Sequence, residues 1–226
     1  MKRVRVATLP CEGPLDASVS HHLVHVLRAK PGRELVLFDG AGAEQPAEIC
    51  EIREGIAHVQ PTGPVRQVSP APPIDLVVAV LKHQAMDLAI RMATEAGVSG
   101  IHPVLTDRTI ARGDRSDRWL RIATSAAAQC GRAAEPTIHP VLPLRSAIEQ
   151  LDCPVFTGFP NAPMHRRATS ACAVCVGPAG GFSPAEAAWL GEVTQPISLG
   201  PYVLRAETAC AVAVALLAAP IDSPHR

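Results

Sequence analysis

The 226-residue sequence predicts an α/β protein, in which a small β-rich domain precedes a C-terminal domain built on a parallel sheet. Three observations carry the prediction. From residue 71 onward, short aliphatic runs alternate with helix-like segments, the pattern of parallel strands joined by crossover helices. Before that point short strand-like segments are separated by tight turns. Between the two, residues 61–73 hold five prolines and no apolar periodicity, the composition of a stiff linker.

In chain order, Lys2-Arg-Val-Arg-Val-Ala7 alternates basic with small or apolar residues and reads as a strand with one wet face. Ser18 or Ser20 is placed to cap a helix through His21–Arg28, with Leu23, Val26 and Leu27 on its apolar side and Pro31-Gly32 stopping it. Glu34–Asp39, Gln45–Arg53 and Gly55–Gln60 are short strands around tight turns, which predicts a small β-barrel. His21 and His25 share a helical face, a spacing that metal sites use. No carboxylate or cysteine completes a set nearby, so surface or packing histidines are expected.

Beyond the linker, Ile74-Asp-Leu-Val-Val-Ala-Val-Leu81 is a near-continuous aliphatic run, the signature of a strand buried on both faces. It feeds a helix from about Gln84 to Ala96, stopped by Gly97. Gly100–Leu105 repeats the strand, and a basic loop with Arg108 and Arg112 leads into a helix from about Ser116 to Gly131. Along that helix Arg118, Arg121, Ser125, Gln129 and Arg132 form one stripe, with Trp119, Ile122, Ala123, Ala126 and Ala127 on the other. The polar stripe is either a solvated face or a phosphate-facing surface, and the two upstream arginines tilt it towards the second. Leu144–Leu151 reads as a short helix, Pro154–Gly158 as a strand, and the segment with His165-Arg-Arg167 as an exposed basic loop. Cys172 and Cys175 form a CxxC, but residues three apart on a strand face opposite ways, so both are assigned to the core.

Two glycine-marked turns near the C-terminus stand out. In Val176-Gly-Pro-Ala-Gly-Gly-Phe-Ser-Pro-Ala-Glu186, Gly180 and Gly181 leave room for a ligand at the backbone, while Ser183 and Glu186 make a capping box with proline at the first helical position. The turn fits neither the dinucleotide fingerprint nor the phosphate-binding P-loop. The second turn, from Leu199-Gly200, places Arg205, Glu207 and Thr208 ahead of an all-apolar helix expected to be buried. A mutual Arg205–Glu207 pair or a ligand would have to satisfy those groups there.

Zero net charge argues against general electrostatic capture of nucleic acid, although a local basic face stays open. Seven cysteines without a regular framework argue against a secreted disulfide scaffold. There is no apolar run of membrane-spanning length and no signal-peptide core at the start, so a soluble cytoplasmic protein is expected.

Taken in order, several motifs make the chain resemble a known family: His22-Leu-Val-His-Val-Leu-Arg28 with Leu37-Phe-Asp-Gly40, Ala93-Thr-Glu-Ala-Gly-Val98, Asp107-Arg108, Arg118-Trp119, Gln129-Cys-Gly-Arg132, Gly177-Pro-Ala-Gly-Gly-Phe-Ser183, and Leu199-Gly-Pro-Tyr-Val-Leu-Arg-Ala-Glu-Thr208. That family is the bacterial RsmE-type 16S ribosomal RNA uridine-N3 methyltransferases of the SPOUT superfamily. The resemblance implies a PUA-like β-barrel over residues 1–70 that assists RNA binding. Over 71–226 it implies a SPOUT methyltransferase domain tied in a deep trefoil knot. S-adenosyl-L-methionine would lie bent between the two glycine turns, on Leu81, Gly177, Pro178, Gly180, Gly181, Leu199, Gly200, Val203, Leu204 and Thr208.

Family members act as homodimers, with each site close to the partner chain. The implied substrate is 16S rRNA or the small ribosomal subunit, with Arg108, Arg112, Arg118, Arg121 and Arg132 as phosphate contacts, and no metal or membrane is expected. Methylating uridine N3 requires loss of its proton; Arg205 is expected to stabilise the uridinate, with Glu207 orienting it. The chain departs from the family pattern at Ala179, Tyr202 and Met92, usually Glu, Arg and Lys, and at Ala96, usually Leu. Two other readings remain open at this point: a SPOUT methyltransferase for another RNA or a small molecule, and a non-catalytic RNA-binding or ribosome-assembly protein.

Overall fold

The computed structural model describes residues 2–68, 72–110, 115–159, 162–163 and 168–218. It divides the chain into two compact units, 1–70 with 127–135, and 71–126 with 136–226. Segment 127–135, placed by the sequence with the C-terminal domain, thus groups with the first unit. Its ties there are specific: Ala134 bridges to Gly40 and Ala41, the Glu135 N–H donates to the Gly40 carbonyl at 2.8 Å, and Arg5 Nε meets the Glu135 carboxylate at 2.7 Å.

In the first unit the strands are β1 (Lys2–Arg5), β2 (Gly13–Pro14), β3 (Glu34–Phe38), β4 (Ala43–Arg53), β5 (Ile56–Pro61) and β6 (Arg66–Gln67). They pair in the order β1-β3-β4-β5-β2, with β6 on β4; only β1 and β3 run parallel. Ala43, Gln45, Ala47 and Ile49 alternate inward along β4, as a period of two requires, and join Val4, Leu35, Leu37, Ala57, Val59 and Leu23 in the core.

The helix between β2 and β3 differs from expectation. Helix α1 (Ala17–His21) begins after Asp16, so Ser18 and Ser20 fall inside it rather than at its cap. Ser20 is buried and its hydroxyl bridges the Leu15 carbonyl and the Ala57 N–H. From His22 to Val26 the chain winds as a π-helix, with Leu27 N–H reaching back to the His22 carbonyl. The wider turn rotates Val26 outward, to 59% exposure, while Leu23 stays inside.

The second unit holds β7 (Ile74–Ala79), α2 (Gln84–Ala96), β8 (Gly100–Leu105), α3 (Ser116–Cys130, its last residues counted with the first unit), β9 (Thr137–Ile138), β10 (Leu142–Pro143), α4 (Leu144–Glu149), β11 (Val155–Gly158), β12 (Cys172–Val176), α5 (Pro184–Val193), β13 (Gln195–Ile197) and α6 (Ala206–Leu217). Its sheet is parallel throughout, in the order β10-β8-β7-β12-β11-β13, with β9 also on β8. Alternate side chains on β7 and β12 face two cores. Ile74, Leu76, Val78, Cys172, Val174 and Val176 pack with α2, α6 and the start of α3, whereas Val77, Ala173 and Cys175 pack with α4 and α5.

The two cysteines of the CxxC therefore lie on opposite faces, as their spacing required. Burial pushes the Cys172 thiol up to about 11 and the Cys175 thiol higher still, which leaves neither as a ready thiolate. The last helix corrects one expectation. From Ala209 on it is apolar all round, but only Ala206, Ala209, Cys210, Ala213, Val214 and Leu217 are buried, on one stripe, while Ala215 is exposed and Ala211, Val212 and Leu216 are half-buried. Among the described residues no helix is long and apolar enough to cross a membrane.

Candidate functional site

Strand order places the site. The connection leaving β7 runs to β8 on one side, and the connection leaving β12 runs past β11 to β13 on the other. The carboxyl ends of β7 and β12 therefore form a topological switch point, where open α/β sheets bind ligands. Leu81 follows β7 and is buried; Gly177–Gly181 follow β12; Leu199–Leu204 follow β13.

Polar ties hold the first of these loops. Ser183 caps α5, accepting from the Glu186 N–H at 3.3 Å while the Glu186 carboxylate accepts from the Ser183 N–H at 2.8 Å, so the predicted capping box is present. Both residues also reach the loop after β8. The Asp107 N–H donates to Glu186 Oε1 at 2.8 Å, and the Ser183 hydroxyl donates to Asp107 Oδ2 at 2.6 Å. Arg108 completes the clasp by donating to the Gly180 carbonyl at 2.7 Å. Gly181 takes φ +70°, a conformation in which a β-carbon is strained.

The second loop is held from beneath. At the end of β11, a β-carbon on Gly158 would stand 2.9 Å from Leu199 Cδ1, so the absence of a side chain there is what lets Leu199 settle. Leu199 and Leu204 pack partly into the core shared with α6. Tyr202 and Val203 point outward, 81% and 91% exposed.

Arg205 is the N-cap of α6 and is exposed; Glu207 and Thr208 are half-buried on the first turn. Of the two alternatives for these groups, a mutual pair or a ligand, an Arg205–Glu207 ion pair is not formed among the described residues. A cation at the positive end of a helix is unfavourable for stability. Its position therefore suits an anion from outside the fold better than it suits the helix.

The five arginines separate. Arg118 makes a two-pronged ion pair with Asp87 of α2, at 3.1 and 2.5 Å, and this holds the Asp87 carboxyl below its usual range. Arg121, exposed, donates through Nε to the Asp117 carbonyl. Arg132 leaves the helical stripe: Gly131, at φ +86°, ends α3, and Arg132 is half-buried in the first unit, where desolvation lowers its pKa. Arg112, like His165-Arg-Arg167, lies outside the described residues.

Sequence reasoning missed the Asp107 clasp, because Asp107 and Glu186 are 79 residues apart and neither position is unusual alone. It also missed His83. That residue sits between Leu81 and α2 at φ +40°, exposed, and a non-glycine residue in this region is a strain that clusters at functional sites.

Comparison with known proteins agrees with this layout. The RNA methyltransferase domain family matches residues 68–218, and the RNA methyltransferase PUA domain family matches residues 15–62. Ribosomal RNA small subunit methyltransferase E of Mycobacterium tuberculosis is 32% identical over 92% of this chain and 88% of its own length. Its counterpart in Synechocystis is 30% identical over 92% of this chain and 73% of its own. Among solved structures, the Neisseria gonorrhoeae ribosomal RNA small subunit methyltransferase E bound to S-adenosyl methionine superposes with a TM-score of 0.86 at 27% identity, covering 95% of each chain. A Legionella pneumophila methyltransferase in complex with the same cofactor gives 0.81, also at 27% identity, over 94% of each. The chain belongs to the ribosomal RNA small subunit methyltransferase E family, with its PUA and RNA methyltransferase domains in that order.

Proposed function

We propose that this protein transfers a methyl group from S-adenosyl-L-methionine to N3 of a specific uridine in 16S ribosomal RNA. One observation carries the reading: both glycine loops leave strands of the parallel sheet at its carboxyl edge, after β12 and β13, and the second leads into an exposed Arg205 that has no ion-pair partner among the described residues. The loops fit the cofactor. Added β-carbons at Gly181 and Gly200 would meet nothing within 4 Å, and one at Gly180 only Arg108 Cδ at 3.8 Å, so a ligand has room to approach the chain closely there. Leu81, Gly177, Pro178, Leu199, Val203, Leu204 and Thr208 belong to the same proposal as cofactor contacts. When bound, the cofactor supplies an electrophilic sulfonium methyl.

The chain's own residues do the rest. Uracil N3 becomes a nucleophile only on losing its proton, which places negative charge on the flanking carbonyl oxygens. Arg205, with the α6 N-terminus behind it, is set to stabilise that charge. Glu207 is close enough in sequence to receive the guanidinium once RNA fixes it. Arg108, Arg118 and Arg121 position phosphates, Arg118 while keeping Asp87, and Arg112 and Arg132 belong to the same proposal. A homodimer accompanies the reading, since Ala211, Val212, Ala215 and Leu216 leave an apolar stripe of α6 that one chain does not bury. The deep trefoil knot is likewise part of the proposal.

The test is nucleotide mass mapping of 16S rRNA from a strain lacking the gene, followed by methylation of its small subunits with purified protein. One uridine should lose its methyl group and regain it. Unchanged rRNA would overturn the substrate. Arg205→Lys should lower turnover with cofactor affinity intact, because lysine lacks the planar fork; normal turnover would remove the arginine from the mechanism.

A further inference from the structure

Three potential ligand groups converge on the second unit's sheet, away from the glycine loops: Asp75 on β7, His102 on β8 and His139 just after β9. Strand register explains the convergence. Asp75 lies beside Gly100, and Val77 beside His102, so Asp75 and His102 share the sheet face that also carries Val77 and Val104. Ile138 pairs with Ile101, and the His139 N–H continues that ladder by donating to the Ile101 carbonyl at 2.9 Å. Three adjacent strands therefore bring one side chain each to a single spot.

The spot is built rather than incidental. An ideal β-carbon on Gly100 would stand 2.7 Å from Asp75 Oδ1 and 3.0 Å from its carboxyl carbon, so the carboxylate occupies space that any other residue at position 100 would fill. Asp75 Oδ2 lies 2.9 Å from His102 Nε2, and the His102 and His139 rings stack at 3.8 Å, 9° from parallel. One donor atom from each of the three residues lies within 4.8 Å of the other two. Among the described residues, no hydrogen bond to a His139 ring nitrogen is seen. The His102 side chain is 13% exposed and that of Asp75 26%, so water can enter.

We propose that Asp75, His102 and His139 form a binding site for a zinc-type divalent metal ion, with water as the fourth ligand. Two imidazoles and one carboxylate with an open position is a donor set that zinc takes. Tetrahedral bonds of about 2.0–2.2 Å hold donors roughly 3.3–3.6 Å apart, so ion binding draws the widest pair, within 4.8 Å, together by up to roughly 1.2–1.5 Å and opens the 2.9 Å Asp75–His102 contact by about 0.5 Å, through rotation of the stacked rings. Late first-row ions bind imidazole and carboxylate well, whereas magnesium and calcium prefer all-oxygen sets. The ion would clamp β7, β8 and the segment after β9, and the site is separate from the loops assigned to the cofactor.

Calorimetric titration of the chelator-treated full chain with zinc tests the proposal, in a Cys50→Ser background so that the exposed thiol does not compete. One ion per chain should bind, and thermal unfolding should move to higher temperature. Asp75→Asn, His102→Gln and His139→Gln should each weaken binding by at least about tenfold, the lower range seen for the outer shell of metal sites. Gly100→Ala keeps all three donors but displaces the carboxylate, and it should weaken binding too. Circular dichroism identifies any variant that fails to fold, and the remaining ones decide. Absence of saturable zinc binding, or equal affinity in the folded variants, would leave a hydrogen-bonded polar cluster and overturn the site.

Discussion

Gly158→Ala is the sharpest probe of the proposed cofactor site, because one methyl group links β11 to the second loop. The new β-carbon would sit 2.9 Å from Leu199 Cδ1 and 3.2 Å from Leu199 Cγ. Carbon atoms in good contact are about 3.5–4.0 Å apart, so Leu199 must retreat by roughly 0.6–1 Å. Rotating the terminal methyl does not relieve the Cγ contact; the Leu199 side chain must change rotamer or its backbone must move. Overpacking of this kind costs about 1–3 kcal/mol, and the lower entropy of the unfolded alanine chain returns about 0.4–1 kcal/mol. The net loss is on the order of 1 kcal/mol. Urea unfolding measures it, and calorimetry with S-adenosyl-L-methionine should show weaker binding, since Leu199 opens the second loop. Leu199→Ala removes the clash, so the double variant should be less destabilised than the two single losses together by at least about 0.5 kcal/mol. Strict additivity, or a Gly158→Ala variant as tight-binding and stable as the parent, would refute the reasoning.

Three further outcomes follow from contacts already described. Ser183→Ala removes the α5 cap and the bond to Asp107, and should cost about 0.5–2 kcal/mol in chemical unfolding, with Asp107→Asn milder because it keeps the backbone bond to Glu186. Arg118→Met should erase a pH-dependent contribution: Asp87 has its pKa lowered chiefly by the hydrogen bond from Arg118, so the parent's advantage is full above the unfolded aspartate pKa of about 4 and disappears as pH falls through the depressed value. Unfolding midpoints of both proteins from neutral pH down to acid check this, and parallel curves would count against it. Arg121→Gln should reduce the salt dependence of RNA binding by about 0.7–0.9 in log–log slope if that side chain meets one phosphate, and leave it unchanged if it does not.

Most of the second unit's elements were legible because each is local. β8 matches its predicted span, and α2 runs from Gln84 to Ala96 as its apolar periodicity and Gly97 required. What escaped is what depends on distant partners. Nothing local distinguishes Gln195–Ile197 as a strand; it becomes one by pairing with β11. The Asp107 clasp and the Asp75–His102–His139 cluster are set by strand order, and periodicity carries no information about that. The π-helix at His22–Val26 escaped for a different reason, since an α-helical spacing was imposed on a sequence whose Ser20 is committed to the neighbouring strand.

The polar groups at the proposed cofactor site fall into two kinds, and the difference is informative. Ser183, Glu186, Asp107 and Arg108 all find protein partners, so they fix the first loop whether or not a ligand is present. Arg205 finds none among the described residues, and it stands where the helix dipole opposes it. Stability alone would favour a Ser, Asp or Asn at that N-cap. Replacing Arg205 by Asp should therefore stabilise the isolated protein while abolishing methyl transfer. Such opposite effects would separate a residue held for chemistry from one held for the fold.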